Sequence, residues 1–292
     1  MPQAQKPLPL EILTIPNFTS IPWLVHGFST RNGGFSRSYG GHALNLGFTK
    51  GDSRANVERN REAFERKLGA ITRKRLWPLV TLRQIHSDLI LGVEMPPETL
   101  LAGDGLVTDR QELLLGIQTA DCLPVILADT RNRAVGVFHA GWRGTVKRIV
   151  EKGVGEMRGR FGTRPKDVKA AIGPGIHACC YKVGEEVRES FRSQFAYADE
   201  LFHEVKESDA VREKYPLLFL TARAPGHSQL PVNMFLDLVE ANRRQLMDAG
   251  IPARNIVASP LCTNCRMDVL FSHRGEKGVT GRMLAAVGIR EK

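Results

Sequence analysis

Two apolar segments of strand length stand four residues apart in the middle of the chain, and they limit the fold more than any other feature. LPVILAD spans residues 123–129 and AVGVFH spans residues 134–139, with only the polar residues 130–133 between them. A connection this short is typical of a hairpin between neighbouring antiparallel strands, and strands this apolar belong in a core. The sequence therefore predicts a buried hairpin whose second strand ends at His139.

Further strand and helix patterns surround this hairpin. Strands are predicted at 80–86, 89–94, 113–118 and 168–173, and helices with one apolar face at 54–68, 144–159, 183–195 and 234–250. Gly250 stands where the last of these helices would end. Strands mixed with helices, and antiparallel pairing between strands close in sequence, predict one α/β domain with a mixed β-sheet flanked by helices.

Composition places the chain among ordinary globular proteins. Apolar residues make up 42% of the chain, charged residues 25%, and no apolar run approaches the ~20 residues that span a bilayer. The first residues lack the pattern of a secretory signal. The formal net charge of +10 comes from scattered basic residues, most with acids nearby, and no nucleic-acid-binding module is present. We therefore expect a cytoplasmic protein that binds neither nucleic acid nor membrane.

Three side chains form a candidate metal site. His86 ends one predicted strand, Cys122 directly precedes another, and His139 ends a third. Rigid scaffolds tend to present functional groups where a strand meets a loop, and two imidazoles with a thiolate suit zinc. Three protein ligands would leave the fourth zinc position open for water or substrate. The odd number of cysteines, five, argues against a disulfide framework in an intracellular chain.

The same residues allow two other interpretations. Cys122 could act as a nucleophile, with His86 or His139 as its base and Asp121 nearby, which would make a thiol hydrolase. Each residue could instead be structural, because a histidine at a strand end is commonly only hydrogen-bonded and a cysteine beside a buried strand is commonly inert. The long, irregular spacings between the three positions do not decide between these alternatives.

The residues that follow His139 are suited to an anion. Gly141 and Gly144 permit close approach of the backbone, and a helix that begins near Gly144 would direct free N–H groups at a ligand. Arg143 could clamp a phosphate or carboxylate. The alternative is a tight strand-to-helix turn in which glycine serves only packing. A second candidate loop, residues 29–34, is first of all a turn signal.

The other four cysteines carry weaker signals. Cys179 and Cys180 are adjacent and cannot readily chelate one metal ion together, so burial is the simpler role for them. Cys262 and Cys265 have the spacing of half a zinc knuckle, but the chain has no second pair at that spacing, and His273 is their candidate partner. These residues alone do not predict a second metal site.

Longer motifs, taken in order along the chain, resemble those of one protein family. They are HGFSTRNGG at 26–34, LNLG at 44–47, RQIHS at 83–87, TADCLPV at 119–125, HAGWRG at 139–144, IGP at 172–174, CCYKVG at 179–184, CTNC at 262–265, FSHR at 271–274 and TGR at 280–282. On these motifs the chain is similar to the family first labelled multicopper polyphenol oxidases (laccase-like), also called the peptidoglycan editing factor family. Its members are understood as purine nucleoside phosphorylases that also deaminate adenosine.

The resemblance implies a zinc-dependent enzyme. The zinc ligands of the family fall on His86, Cys122 and His139, and the implied fold is an α/β sandwich similar to the catalytic domain of a deamidase toxin. The implied reaction turns adenosine, inosine or 5′-methylthioadenosine plus phosphate into free base and ribose 1-phosphate, with adenosine deamination as a second activity. The laccase-like label implies copper, but the sequence lacks the histidine clusters that a multinuclear copper centre requires.

This hypothesis gives roles to further residues. Asp121, beside a ligand, is a candidate proton donor or base, and Arg143 a candidate catalytic cation. The candidates for binding substrate or phosphate are Arg31, Asn45, Gln84, Gly141 and Gly144. No glutamate follows His86 or His139 in the H-x-E pattern of the usual zinc deaminases, so the proton-shuttling residue stays unassigned.

The matched region sets the expected domain limits. We expect a single catalytic domain over residues 21–290, preceded by a loosely ordered N-terminal extension over residues 1–20. A monomer whose partners are small molecules, nucleoside and phosphate, is expected. The alternatives are a copper-dependent polyphenol oxidase, a cysteine or zinc hydrolase that edits peptidoglycan precursors, and a binding module that holds zinc without turnover.

Overall fold

The computed structural model of the protein describes residues 9–206 and 232–291. Contacts divide the chain into two compact units, one formed by residues up to His177 together with those from Leu238 onward, and the other by Ala178–Asp237. Each unit is described by itself, and the assignment of residues 21–290 to one catalytic domain stays a prediction. Within the described ranges, no helix combines the length and apolar character that crossing a membrane requires.

The larger unit contains both strands and helices. Its strands are β1 (Ile12–Leu13), β2 (Leu24–Ser29), β3 (Asn32–Ser36), β4 (Ile71–Thr72), β5 (Arg75–Leu76), β6 (Leu79–Thr81), β7 (Ile90–Gly92), β8 (Gly105–Thr108), β9 (Leu114–Thr119), β10 (Leu123–Asp129), β11 (Ala134–Ala140), β12 (Val168–Ile172), β16 (Ile256–Ala258) and β17 (Met283–Ile289). Its helices are α1 (Pro16–Thr19), α2 (Arg54–Leu68), α3 (Trp142–Val146), α4 (Ile149–Phe161) and α6 (Leu238–Asp248).

Two mixed sheets form the framework of this unit. One has five strands in the order β1-β2-β17-β9-β6, and the other has six in the order β16-β12-β10-β11-β8-β7. The pairs β6–β9, β7–β8 and β12–β16 are parallel, and the remaining neighbours within the two sheets are antiparallel. The predicted hairpin is confirmed: Leu123 pairs with Ala140 and Asp129 with Ala134. The predicted class, α/β with a mixed-sheet sandwich flanked by helices, is confirmed.

The main core lies between the two sheets. Strands β9 and β17 of the five-stranded sheet contact β11 of the six-stranded sheet. Alternate side chains of each strand point into this layer, as the period of a strand requires. The buried residues that fill it include Leu115, Ile117 and Val287 from one sheet and Ile126, Val135 and Val137 from the other.

Helices cover the outer faces. Helix α2 begins after Ser53, whose Oγ accepts the Asn56 N–H at 3.2 Å, and ends at Gly69, whose φ of 79° is left-handed. Its Phe64 packs on the outer face of the five-stranded sheet. Helix α4 lies on β11, and a methyl group at Gly153 would come within 2.5 Å of the Phe138 ring, so glycine permits this approach. The helix predicted at 54–68 is confirmed.

Three other predicted elements differ from the structure. The helix predicted at 144–159 is two helices, α3 and α4, separated at Arg148, whose φ of 62° interrupts the helical backbone. The strand predicted at 80–86 ends at Thr81, because the following residues bond to other loops. The helix predicted at 234–250 begins only at Leu238, since residues up to Leu236 belong to a strand. Its predicted end at Gly250 is confirmed by a φ of 92°.

Helix α6 fixes the short helix α3 that follows His139. Asn242 and Gln245 of α6 are fully buried. The Asn242 Nδ2 donates to Thr145 Oγ1 at 3.0 Å, and the Gln245 Nε2 donates to the Thr145 carbonyl at 2.8 Å. The turn after β11 is therefore held from outside by polar contacts as well as by the strand itself.

The described part of the N-terminal segment is packed. β1 pairs with β2, and Ile15 and Phe18 are buried in the core between the sheets. The Ile15 N–H donates to His26 Nε2 at 3.2 Å. The loose order expected for residues 1–20 therefore does not apply to residues 12–19, because their apolar side chains have a place in the core; residues 1–8 lie outside the described ranges.

The smaller unit has its own sheet. Strands β13 (Lys182–Val183), β14 (Phe202–Lys206) and β15 (Val232–Leu236) are antiparallel in the order β13-β15-β14. Helix α5 (Glu185–Arg192) is shorter than the 183–195 predicted, since Val183 belongs to β13, Gly184 is the N-cap and the helix ends before Ser193. Phe191 anchors it, with its ring centroid 5.7 Å from that of Phe202.

We expect His26 to make stability pH-dependent. Burial lowers the pKa of His26 to about 4, and the Ile15 N–H bond requires a neutral ring. Unfolded His26 takes up a proton at higher pH than folded His26 does. The contribution of His26 to the free energy of unfolding is therefore complete above pH ~6.5, and it decreases by about 3 kcal/mol in total as the pH falls to ~4. Urea unfolding of wild type and His26→Gln between pH 7 and 4 measures this, and equal pH slopes for the two proteins would contradict it.

Candidate metal centre

The three predicted ligands lie together. The ligand atoms of His86, Cys122 and His139 are all within 4.8 Å of one another. The two imidazole rings meet edge to face, with centroids 4.9 Å apart. His139 is buried, Cys122 is half-buried and His86 is exposed, so the group is rigid on one side and open to solvent on the other.

Each ligand is positioned by a different kind of local structure. His139 is part of β11 and pairs with Pro124 of the neighbouring strand. Cys122 lies in the connection from β9 to β10, directly after Asp121, whose φ of 89° is left-handed. His86 also has a left-handed backbone, with φ of 55°. Such conformations cost energy in residues other than glycine, so surrounding bonds must hold the two turns.

Asp104 supplies the bonds that hold His86 and His139. This fully buried carboxylate accepts the backbone N–H groups of Ile85, His86 and Ser87 at 3.2, 3.0 and 2.6 Å, and the Ser87 hydroxyl at 2.6 Å. It also lies 2.8 Å from His139 Nδ1. One carboxylate thus fixes the turn that carries one histidine and the ring orientation of the other, which leaves His139 Nε2 available as a ligand.

Sequence reasoning did not identify Asp104. It precedes the first residue of β8, and its partners are 17 to 19 and 35 residues away along the chain. The only available signal was an acid at the start of an apolar strand segment, GLVT. An acid at such a position is usually exposed, and nothing local indicates that this one is buried.

The charges of the group favour a thiolate. Burial raises the pKa of Cys122, but the charge of His139 and hydrogen bonds from both histidines lower it to about 6. Burial lowers the pKa of His139, whereas the charge of Cys122 and the bond to Asp104 raise it to about 9. Burial likewise raises the pKa of Asp104, but bonds from His139 and Ser87 outweigh it and hold that pKa well below its usual range. A thiolate is the form that binds metal or attacks as a nucleophile.

Gly141 and Gly144 bring the backbone close to the ligands. A methyl group at Gly141 would lie 2.8 Å from Cys122 Sγ and 3.4 Å from His86 Cδ2. At Gly144 it would lie 3.3 Å from the carbonyl oxygens of His139 and Ser87. Gly141 is therefore required by the approach of this turn to the thiol, whereas the tight contacts at Gly144 are with backbone carbonyls. Their predicted contact with substrate or phosphate stays a prediction.

Arg143 is the exposed cation of the same turn. Its guanidinium carbon lies 4.4 Å from the ring centroid of Trp142, which is half-buried. Within the described ranges no carboxylate forms an ion pair with Arg143. No described carboxylate therefore neutralises its guanidinium, and its predicted role as a catalytic cation stays a prediction.

The Asp121 carboxylate is occupied by internal bonds. It accepts the hydroxyls of Thr263 and Ser272 at 2.6 and 2.8 Å and the Arg274 N–H at 2.6 Å. These bonds tie the loop after β16 to the turn that carries Cys122. The role predicted for Asp121 in proton transfer would have to compete with them. It is Asp104, not Asp121, that lies behind a histidine ligand.

Arg31 and Asn45 are also held by internal bonds. The Arg31 guanidinium donates to Glu276 Oε1 at 3.0 Å and to the Tyr39 and Met267 carbonyls at 2.9 and 2.6 Å. Asn45 is fully buried and donates to the Gly47 carbonyl, and its Oδ1 accepts backbone N–H groups. Their predicted contact with substrate stays a prediction, but the bonds observed are those of loop scaffolding.

Gln84 extends the sheet with its side chain. Its Nε2 donates to the Gln118 carbonyl at 2.7 Å, and its Oε1 accepts the Gln118 N–H at 2.8 Å. The amide thus replaces a strand at the edge of β9 where β6 has ended. Because His86 follows only two residues after Gln84, this pairing positions the turn that carries His86. The predicted contact of Gln84 with substrate stays a prediction.

The remaining cysteines only partly follow expectation. Burial of the adjacent pair is wrong, since Cys179 is exposed and Cys180 half-buried. Their two Sγ atoms nevertheless lie within 4.8 Å of each other. In the larger unit Cys262 is buried, and its Sγ accepts the His177 N–H at 3.5 Å, whereas Cys265 is exposed.

Fold and site together define an α/β protein in which two packed mixed sheets present a His–Cys–His group suited to a metal ion. The chain belongs to the family described as multi-copper polyphenol oxidoreductase laccase, whose family model matches residues 25–290. The family resemblance of the sequence motifs is therefore confirmed.

Relatives in this family carry enzyme names. The purine nucleoside phosphorylase YlmD of Geobacillus stearothermophilus is 35% identical over 277 residues, which cover 92% of this chain and 91% of that protein. The adenosine deaminase RL5, from an unknown prokaryotic organism, is 33% identical over 259 residues, covering 86% and 88%. These relatives confirm the prediction that the chain is an enzyme.

Solved structures share the fold over nearly the whole chain. The hypothetical protein YfiH of Bacillus licheniformis superposes with a TM-score of 0.79 at 33% identity and covers 98% of both chains. YlmD of Geobacillus stearothermophilus gives a TM-score of 0.77 at 32% identity, covering 99% of this chain and 98% of that one.

We expect Asp104→Asn to weaken metal binding. The variant keeps the shape of the side chain but removes its charge and part of its accepting capacity, so neither histidine ligand is held as before. The affinity for Zn²⁺ should fall by roughly 10- to 100-fold, the usual effect of losing such a partner. Titration against a competing chelator measures it. Asp109→Asn, an exposed acid paired only with its neighbour Arg110, is the control, and equal affinities for the two variants would refute the assignment.

We expect Gly141→Ala to disturb the same group by crowding. The new methyl would meet Cys122 Sγ at 2.8 Å, so the variant should bind Zn²⁺ more weakly and lose about 1–3 kcal/mol of stability. Gly155→Ala is the matched control, because open space surrounds that position in α4. It should gain up to ~1 kcal/mol from better helix propensity and bind the metal as wild type does. Wild-type metal affinity in Gly141→Ala would contradict the close approach.

Proposed function

We propose that the chain is a zinc-dependent purine nucleoside phosphorylase that also deaminates adenosine. The observation that carries the proposal is the convergence of His86, Cys122 and His139 with ligand atoms within 4.8 Å. The names of two relatives, a purine nucleoside phosphorylase and an adenosine deaminase, support the two activities. The substrates proposed are adenosine, inosine and 5′-methylthioadenosine, with inorganic phosphate as the second substrate.

The residues present fit a zinc ion. Two imidazoles and a thiolate are the donor set that zinc prefers, and three protein ligands are typical of a catalytic site with one open position. The lowered pKa of Cys122, about 6, supports the thiolate that coordination needs. Asp104 holds His139 by Nδ1, and Gly141 places no side chain beside the thiolate. When bound, zinc would supply Lewis-acid chemistry for polarising the purine or activating water.

The chain's own residues would perform the remaining tasks. Phosphorolysis needs a phosphate held near C1′ of the ribose and stabilisation of the charge that leaves on the purine. Arg143 is the exposed cation of the turn that carries Gly141, and no described carboxylate neutralises it, so we assign phosphate binding to this turn. The exposed side of His86 faces solvent and would admit the nucleoside. Asp104 holds the two histidines and so limits their motion when substrate binds.

A panel of nucleosides tests the proposal. Adenosine, inosine and 5′-methylthioadenosine are each incubated with the enzyme, with and without phosphate, and free base, sugar phosphate and ammonia are measured. We expect free base to be released only when phosphate is present, and we expect ammonia from adenosine but not from the other two nucleosides. Base release without phosphate, or none from any nucleoside, would contradict phosphorolysis.

Two variants connect the activity to the candidate centre. Cys122→Ala and His86→Ala should both lose zinc. Their rate of phosphorolysis should fall by more than the roughly 100-fold that is typical when a hydrogen-bond partner of a metal ligand is removed. His42→Ala is a matched control for His86→Ala, because both histidines are exposed and have a left-handed backbone. The control should keep its zinc and activity. If Cys122→Ala retained both zinc and full phosphorolysis, the proposal would be wrong.

A thiol hydrolase is the second candidate, and one observation favours it. Cys122, His139 and Asp104 form a series like that of a cysteine hydrolase, with a lowered thiol pKa and a 2.8 Å bond behind the histidine. Such an enzyme, acting on amides of peptidoglycan precursors, would need no metal. Activity that survives chelation but not alkylation of Cys122 would favour it over the zinc enzyme.

Copper-dependent oxidation of phenols has less support. Among the described residues that could share a metal ion, only two histidines, His86 and His139, come together. A multinuclear copper centre requires more. Turnover of phenols that rises with added copper, in a protein inert toward nucleosides, would favour it. The cytoplasmic location and the monomeric state expected from the sequence stay predictions.

A further inference from the structure

One cavity of the larger unit opens beside the end of β9. It has a volume of about 490 Å³, within the usual range for small-molecule sites. None of the three metal-ligand residues lines it. It is formed by the loop that follows Gly47, the end of β9 and the segment before β17, and its lining includes Tyr39, Phe48, Lys50, Gln118, Val279 and Arg282.

The charged groups of this cavity are all basic. Lys50 is exposed and has no ion-pair partner in the parts of the chain that the structure describes. Arg282 donates Nη1 to the Thr280 and Gly281 carbonyls at 3.2 and 3.0 Å, and no described carboxylate pairs with it. No acidic side chain belongs to the lining. Two cations without an opposing carboxylate fit an anionic group such as a phosphate.

An aromatic wall lies beside these cations. The Phe48 side chain is 52% exposed, a large fraction for an apolar ring, and the guanidinium of Arg61 lies 4.5 Å from its centroid. Tyr39 is fixed by a 2.7 Å bond between its hydroxyl and Thr49 Oγ1. Exposed rings next to guanidinium groups are surfaces on which flat heterocycles stack.

Gln118 adds a directional polar group. Its backbone is fixed on both sides by the Gln84 amide, as described above. Its side-chain amide has no hydrogen-bond partner in the described ranges. A methyl at Gly47 would lie 2.7 Å from Gln118 Oε1 and 2.7 Å from Arg282 Cγ, so the glycine leaves room for both side chains. A glutamine amide can bind the amino group and ring nitrogen of adenine through two parallel hydrogen bonds.

We propose that this cavity binds an adenine nucleotide. Lys50 and Arg282 contact its phosphate, Gln118 the edge of the adenine, and Phe48 the face of the ring. The ligand in this proposal is an effector or a retained nucleotide, because none of the three candidate metal ligands lines the cavity. The proposal goes beyond the proposed function and does not depend on it, because binding needs no turnover.

Calorimetric titration of the full-length, zinc-loaded protein with adenosine 5′-monophosphate tests the proposal. We expect saturable binding of the nucleotide, with inorganic phosphate alone binding more weakly. Adenosine is left out of the titration because the proposed function would turn it over. Lys50→Gln and Gln118→Met should each weaken nucleotide binding by about tenfold, the effect of losing one hydrogen bond to a charged or paired group. Lys166→Gln and Gln111→Met, which change exposed residues outside the cavity lining, should leave it unchanged.

Several results would overturn the proposal. Absence of nucleotide binding to the wild-type protein would do so, as would equal weakening by the cavity variants and their controls. Binding that is lost in His86→Ala but kept in Lys50→Gln would place the nucleotide at the metal centre instead. If the protein binds the nucleotide in this cavity but shows no phosphorolysis, the proposed function is contradicted and the nucleotide site is not.

Discussion

The candidate centre depends on one buried carboxylate. Asp104 is fully buried and accepts five hydrogen bonds, three from backbone N–H groups, one from Ser87 Oγ and one from His139. A carboxylate without such partners would be costly to bury, and with them it becomes a rigid junction. It joins a surface turn to the central strand β11, and so His86 shares the rigidity of the core although its side chain is exposed.

The two packed sheets explain how rigidity and access are combined. Cys122 and His139 lie at one end of the β10–β11 hairpin, where Leu123 pairs with Ala140, so their distance is set by strand register. The third ligand comes from outside the hairpin and is exposed. A group built in this way keeps two ligands fixed in the core and presents the third toward solvent, where a substrate can reach it.

Elements whose signal is local were predictable, and those fixed by distant partners were not. The strand at 123–129 is apolar up to Ala128 and buried throughout, and the helix at 54–68 has a serine cap and a glycine end. Asp104 could not be identified because its importance comes from residues 17 to 35 positions away. The separation of α3 from α4 at Arg148 was not predicted, because one left-handed residue between two helices hardly changes the helical spacing of the apolar residues. Of the site, the three candidate ligands could be named from their residue types and the family motifs, but the internal bonds of Arg31 and Asp121 follow only from the structure.

The Gln84 side chain pairs with the backbone of Gln118 as a strand would. A residue that completes a sheet in this way contributes to folding, whether or not the folded chain has an activity. An aliphatic replacement would leave the N–H and carbonyl of one central residue without partners. Conservation of glutamine at this position among related chains would therefore reflect its role in folding. It could not be used to distinguish an active enzyme from a copy that has kept only its architecture.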